Sequence, residues 1–281
     1  MSESGRTPLL QAKNLRLGHR TGRTREFVVA IDSIDLTIDT GEFISVVGPS
    51  GCGKTTFLEA VAGLVPVASG DLLVNGTPIK GPARNRAIVF QSASLFPWRT
   101  VEQNVWFGLE VQGRLDEAAR QRTRQLLHTV GLEKYMKARP DELSGGMRQR
   151  VNLARALAVS PDVLLFDEPF GALDAMTRES LQDELLRIWQ ADPDGPKTTA
   201  VFITHDVTES VLLSDRVIVL SRNPGRIVAD VAIKAPRPRT SAQWRLDPKF
   251  TEYCSEILDA LHPEQKAARQ SVTATSTESS V

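Results

Sequence analysis

Gly48-Pro49-Ser50-Gly51-Cys52-Gly53-Lys54-Thr55-Thr56 decides the fold of this 281-residue chain. It follows the short apolar run at 43–47 and opens a helical pattern over 55–64. Glycines at 48, 51 and 53 let backbone N–H groups turn inward around phosphate oxygens, and the dipole of the following helix favours the negative charge. This is the P-loop pattern GxxxxGK[ST] between a strand and a helix. In that pattern Lys54 reaches the β- and γ-phosphates of a nucleotide, while the Thr55 hydroxyl ligates Mg²⁺. A bare glycine turn with an incidental Lys-Thr would need neither flanking element.

Downstream, Val163-Leu-Leu-Phe-Asp-Glu-Pro169 is the matching second element. Its apolar run ends in Asp167, a carboxylate for the Mg²⁺, and in Glu168, placed to act on an attacking water. Two carboxylates at a strand end also serve as N-caps when a helix follows, so this pair is read together with the P-loop.

Around these two elements the chain alternates. Short Val- and Ile-rich runs at 43–47, 88–90, 163–166, 200–203 and 217–220 suit strands buried on both faces of a largely parallel sheet. Helical patterns fall at 55–64, 120–130, 146–159 and 178–191, and the alternation indicates an α/β fold. Residues 10–17, 28–38 and 71–75 instead alternate apolar and polar, with turn signals at Asn75-Gly76 and Asp39-Thr40-Gly41, which predicts a small antiparallel sheet. Residues 92–160 carry no strand candidate and read as an inserted helical subdomain. Pro236 and Pro238 mark an extended linker, and 250–261 reads as a short helix. The Ser/Thr-rich stretch 267–281 is expected to be a disordered tail. The expected organisation is an ATPase domain over 1–240, an extension over 241–266 and that tail.

Composition narrows the function classes. Lys plus Arg and Asp plus Glu are each 34, a formal net charge of zero, which argues against nucleic acid as the main partner. The local cluster Arg16, Arg20, Arg23 and Arg25 reads as a solvated loop. Two cysteines, Cys52 and Cys254, build neither a disulfide framework nor a zinc spacing and fit a reducing compartment. The N-terminal stretch MSESGRTPLLQAK has no apolar run of signal-peptide length, and no run of about 18 apolar residues exists to span a bilayer.

Between the two phosphate elements lies Leu143-Ser144-Gly145-Gly146-Met147, followed by Arg-Gln-Arg. It resembles the signature motif of ABC ATPases, and at a helix start it makes a second anion site. The resemblance, over about residues 10–235, implies a P-loop NTPase (RecA-like) core with an antiparallel β subdomain and an inserted α-helical subdomain. It further implies that Ser144, Gly145 and Gly146 complete the nucleotide pocket of a second ATPase subunit. Gln91 resembles the Q-loop glutamine, which senses Mg²⁺ and links to the membrane subunit. Asp174, in Ala172-Leu-Asp174, resembles the D-loop that crosses the dimer, and His205 matches the switch histidine on the γ-phosphate. The nucleotide site implied is Gly48, Pro49, Ser50, Gly51, Cys52, Gly53, Lys54, Thr55, Thr56 and Gln91, with Thr55, Gln91 and Asp167 at the Mg²⁺. The family stacks an aromatic ring on adenine; His19 and Phe27 are both candidates.

Further stretches are similar to bacterial importers of nitrate, taurine and aliphatic sulfonates: Leu95-Phe-Pro-Trp-Arg-Thr-Val101, Phe107-Gly-Leu-Glu110, Phe170-Gly-Ala-Leu-Asp-Ala-Met-Thr-Arg178, Gly81-Pro82 and Pro224-Gly-Arg226. The stretch after His205 is too short for the regulatory domain of maltose-type importers. Thr208-Glu-Ser210 departs from the usual Glu-Ala of relatives. The resemblance implies a head-to-tail ATPase dimer on the cytoplasmic face of a bacterial inner membrane, peripheral to it. It would drive permease subunits, contacted through Leu95, Phe96 and Trp98, and serve a periplasmic solute-binding protein indirectly. The alternative is a soluble ABC-type ATPase acting as a nucleotide-dependent clamp without transport.

Overall fold

The computed structural model describes residues 7–20, 26–190 and 198–263. Arg23 and Arg25 of the arginine cluster, the end of the expected helix at 191 and the expected tail at 267–281 lie outside the described residues. In chain order, β1 (Pro8–Arg20), β2 (Phe27–Asp39) and β3 (Phe43–Val47) lead into α1 (Lys54–Ala62). Next come β4 (Ser69–Val74), β5 (Thr77–Pro78) and β6 (Arg86–Val89), then α2 (Val101–Val111), α3 (Glu117–Thr129) and α4 (Gly145–Ala158). The rest runs β7 (Val163–Asp167), α5 (Ala175–Gln190), β8 (Thr199–Ile203), α6 (Val207–Leu213), β9 (Arg216–Leu220), β10 (Ile227–Ala232), α7 (Ser241–Leu246) and α8 (Pro248–Leu261).

Two sheets result. The antiparallel one has the order β2-β1-β4-β5, and the larger one β10-β9-β3-β8-β7-β6. In the larger sheet β9, β3, β8, β7 and β6 run parallel, and only the edge strand β10 is antiparallel. Every residue of β3 and β8 is buried, as unbroken apolar runs require when both faces are covered. On one face pack α1 and the antiparallel sheet, through Phe57, Leu58, Val61, Leu15 and Ile31. On the other, Phe43, Phe166 and Phe202 form a ring cluster under α5, α6 and α8. Each such side chain contributes about 1.5–3 kcal/mol by leaving water.

Residues 92–160 contain α2, α3, α4 and two short 3-10 turns, and no strand. They bury their own small core of Val101, Val105, Leu127, Val130, Leu132 and Val151. Thr100 starts α2 by accepting from the Gln103 N–H while Gln103 accepts from the Thr100 N–H, a reciprocal cap.

The C-terminal elements are tied down. The stretch between β10 and α7, expected to be extended, instead bends at Arg237 and Pro238, and inside it buried Arg239 donates to the carbonyls of Ser214 and Ala235. Trp244, Phe250 and Ile257 of α7 and α8 join the aromatic core beneath the sheet. Arg16 of the arginine cluster lies on β1, 3.5 Å from Asp32.

Candidate functional site

Parallel strands end at one edge of the sheet, and ligands of such folds bind there. Three of the loops leaving that edge carry the expected residues. After β3 the P-loop runs from Gly48 to Gly53; β7 ends in Asp167 and is followed by Glu168; after β8 come Thr204 and His205. Asp167 stands in register with Ile203, and Ile203 with Val46, so the three loops are neighbours.

Gly53 begins α1 with φ of +95°, and a Cβ there would come within 2.8 Å of the Ala30 carbonyl oxygen. Glycine is needed on both counts. Lys54 is buried, and its Nζ donates to the carbonyls of Gly48 (2.8 Å) and Pro49 (3.1 Å). The ammonium therefore lies over the loop from Gly48 to Gly53. Cys52 is buried at its centre, 4.0 Å from Lys54 Nζ. Burial pushes the Cys52 thiol up, against a downward pull from Lys54.

The Thr55 hydroxyl donates to Asp167 Oδ1 at 3.2 Å. Burial raises the Asp167 carboxyl above the usual range, and the Glu168 charge adds to this, while Thr55 and Lys54 oppose it. Glu168 takes a left-handed conformation, φ +44°, which costs a non-glycine residue about 1–3 kcal/mol. Its N–H is held by the Ile203 carbonyl at 3.0 Å. So turned, its Oε2 meets His205 Nδ1 at 3.0 Å. The two line a cleft with Gly171, Arg178, Thr204, Asp206 and Glu209.

Gln91 and Glu168 both approach Gly171. A Cβ on Gly171 would lie 3.1 Å from Gln91 Nε2 and 3.7 Å from Glu168 Oε2. The backbone before Gln91 is pinned from α4, where Gln149 and Asn152 both donate to the Phe90 carbonyl at 3.1 Å. Arg155 adds bonds to Ala93 and Ser94. Sequence reasoning missed these three; their spacing along α4, beside the glycine pair, was the available signal.

Ser144 and Asp174 stand apart from the phosphate loop. The Ser144 hydroxyl accepts from the Met147 N–H and caps α4, and Asp174 accepts from the Thr177 N–H at the start of α5. Those Thr177 bonds hold the exposed Asp174 carboxyl below the ordinary range. A Cβ on Gly146 would lie 2.4 Å from Thr177 Cγ2, so α4 and α5 meet where their expected functional residues stand. Of the adenine candidates, Phe27 pairs with Arg20 and His19 with Val28 on β1 and β2; both are exposed, and the Phe27 ring lies over Gly18.

Also missed was the buried Glu209, inside the stretch Thr208-Glu-Ser210. It accepts from Thr204 Oγ1 (2.7 Å) and Gln182 Nε2 (3.1 Å), and burial pushes its carboxyl up. Ser210 is fully buried and donates to the Val207 carbonyl.

The site can bind a polyphosphate against backbone amides and Lys54. It can hold a cation between hydroxyl and carboxylate oxygens, and it can take a proton from water at Glu168. Comparison with known proteins agrees. The model of the ABC transporter family matches residues 31–171. The taurine import ATP-binding protein TauB of Burkholderia pseudomallei is 43% identical over 244 residues, covering 85% of this chain and 92% of its own. The nitrate import ATP-binding protein NrtD of Synechocystis sp. is 43% identical over 253 residues, covering 88% and 94%. Among solved structures, the dimeric post-hydrolysis state of the ATP-binding cassette MJ0796 with ADP and Pi superposes with a TM-score of 0.69 at 29% identity, over 81% of this chain and all of that one.

Proposed function

This chain belongs to the ABC transporter family and is an ATPase, and from that premise we propose how its residues hydrolyse ATP and what the hydrolysis drives. The carrying observation is the Glu168–His205 pair at 3.0 Å, at the same strand ends as Lys54, Thr55 and Asp167. Lys54 and the amides from Gly48 to Thr56 bind the β- and γ-phosphates. Glu168 accepts a proton from the attacking water, and His205 fixes the Glu168 carboxylate and contacts the γ-phosphate.

The donor set fits Mg²⁺. Among the described residues no three His, Cys, Asp or Glu side chains form a cage. One hydroxyl and one half-buried carboxylate, completed by phosphate oxygens, are what Mg²⁺ takes in nucleotide sites. Thr55 and Asp167 would hold it, with Gln91 close by, and when bound it neutralises charge developing on the phosphates.

Two copies meet head to tail, so that Ser144, Gly145, Gly146 and Asp174 of one face the nucleotide on the other. His19 or Phe27 covers the adenine. No helix among the described residues is long and apolar enough to cross a membrane. As a subunit of an importer, the chain works with permease subunits on the cytoplasmic face of a bacterial inner membrane, touching them at Leu95, Phe96 and Trp98. The names of its relatives favour a nitrate-, taurine- or sulfonate-class solute, delivered by a periplasmic binding protein.

The test is uptake of labelled taurine, nitrate and an alkanesulfonate into vesicles holding the permease subunits, with and without this chain and ATP. Uptake of one of them that needs this chain, with stoichiometric phosphate release, is expected. ATP retention without phosphate release or uptake would favour the soluble clamp.

A further inference from the structure

A line of hydrogen bonds, part-buried at its ends and buried at its centre, runs from α7 to the loop that bears His205. Arg245 Nη2 donates to Gln182 Oε1 at 3.0 Å, Gln182 Nε2 donates to Glu209 Oε1 at 3.1 Å, and Thr204 Oγ1 donates to Glu209 Oε2 at 2.7 Å. The Thr204 oxygen in turn accepts from the Asp206 N–H at 2.9 Å, so this hydroxyl spans His205 from both sides. Gln182 and Glu209 are 2% and 5% exposed, leaving no water to substitute for a lost partner.

The order of donors in this line is forced. A guanidinium only donates, so Gln182 must present its oxygen to Arg245 and its NH₂ to Glu209. The carboxylate takes both that NH₂ and the Thr204 hydroxyl proton, and the Thr204 lone pair is then left facing the Asp206 N–H. Reversing the Gln182 amide would set two donors against each other at Arg245 and an oxygen against a carboxylate at Glu209. Arg245 and Glu209 thus fix the Gln182 amide from its two ends, and Arg178 Nε stands 3.9 Å from the same Glu209 oxygen. The helix of Arg245 is itself fastened, by the Ser241 N–H to Asp183 Oδ1 (3.3 Å) and Trp244 Nε1 to the Val211 carbonyl (3.1 Å).

We propose that Arg245 is a positioning residue for hydrolysis: through Gln182 and Glu209 it holds the Thr204–Asp206 turn so that His205 meets Glu168, making α7 part of the ATPase rather than an appendage. This rests on the reading that His205 and Glu168 act on the water.

The experiment compares Arg245→Met, Arg245→Lys and His205→Ala in the full chain. ATP turnover is counted per folded site by stoichiometric binding of a non-hydrolysable ATP analogue. Arg245→Met should lower kcat about three- to thirtyfold, with KM and analogue affinity within about twofold of wild type. Arg245→Lys, which restores an obligate donor, should recover most of that loss. Counting per folded site keeps the comparison valid if Arg245→Met also melts earlier. A kcat for Arg245→Met equal to wild type, a loss confined to KM, or a loss that Lys does not recover would overturn the proposal. His205→Ala tests the underlying reading separately: unchanged turnover there sinks the role of His205, whatever Arg245 does.

Discussion

His205 Nδ1 lies 3.0 Å from Glu168 Oε2, joining the loops that leave two adjacent parallel strands. Glu168 reaches it only by adopting φ of +44°, an arrangement that packing alone gives no reason to keep. Glu168→Gln preserves shape and a hydrogen bond to the imidazole but cannot take a proton. Turnover should fall by about 10²–10⁴ while ATP affinity stays within about threefold, and ATP should accumulate a closed dimer on size exclusion. Phosphate release within twofold of wild type would remove Glu168 from the reaction.

Cys52 gives a pH-dependent readout of the phosphate loop. Its thiol is 1% exposed, and burial raises its pKa above the ordinary thiol value of 9.0. Only the thiolate reacts, and its fraction grows about tenfold per pH unit until the pKa is passed. Labelling by a bulky maleimide should therefore be slow at neutral pH and still accelerating at pH 9.0, where an ordinary thiol begins to level off. Bound ATP should protect, and labelled protein should not bind ATP. A rate that levels off below pH 9, or labelled protein with unchanged affinity, contradicts this reading.

What was legible in the sequence is what is contiguous in it. The P-loop, the strand ending in Asp167-Glu168 and the Ser144-Gly145-Gly146 turn each sit on one short segment, and local chemistry marks them. The elements missed fail that condition. The edge strand β10 alternates in burial, but its residues Ile-Val-Ala-Asp-Val-Ala do not alternate in hydropathy, and α6 is seven residues long and buried nearly all round, so neither shows a clear period in the sequence. The start of α2 did carry a legible mark, the Thr100–Gln103 capping box. The Arg245–Gln182–Glu209 line joins three separate segments and exists only once α5, α6 and α7 are packed.

Gly225 tests a brace on the phosphate loop. Its N–H donates to the Ala30 carbonyl (2.8 Å) and its carbonyl accepts from the Asp32 N–H (3.0 Å), stitching the β9–β10 hairpin to β2. A Cβ here would stand 2.1 Å from the Cys52 carbonyl oxygen and 3.1 Å from Ile31 Cδ1. Backbone must move, either in the hairpin or in the loop that holds phosphate. Gly225→Ala should cost about 1–3 kcal/mol, and ATP affinity should fall about tenfold, a cost of ~1.4 kcal/mol. Gly81→Ala, where nothing lies within 4 Å of the added carbon, is the control and should be neutral. Equal melting and equal ATP affinity in the two variants would show that the brace does not constrain the loop.

The segment Leu95-Phe96-Pro97-Trp98 divides its apolar side chains between two environments. Leu95 packs against the helical core, and the Phe96 ring lies 4.5 Å from that of Phe107, tilted by 56°. Fully buried Asn104 clamps the turn, accepting from the Phe96 N–H and donating to the carbonyls of Phe96, Arg99 and Thr100. On this rigid turn Trp98 is 69% exposed, with its ring 5.6 Å from that of Phe96. A large aromatic held in water by a buried clamp is the expected anchor for a short helix of the permease subunit, because such anchors dominate contact energies. Trp98→Ala removes little from the folded chain: an exposed substitution stays within about 0.5 kcal/mol, or roughly 2 °C in Tm for a chain of this size. Assembly with the permease should weaken by at least about thirtyfold, as loss of a central anchor of about 2 kcal/mol requires. Phe96→Ala should show the reverse order, with a clear drop in Tm preceding any effect on assembly. A thermal melt and a pull-down on the same preparation separate the two outcomes. If Trp98→Ala melts many degrees lower while its folded fraction assembles normally, the permease contact lies elsewhere on the helical subdomain.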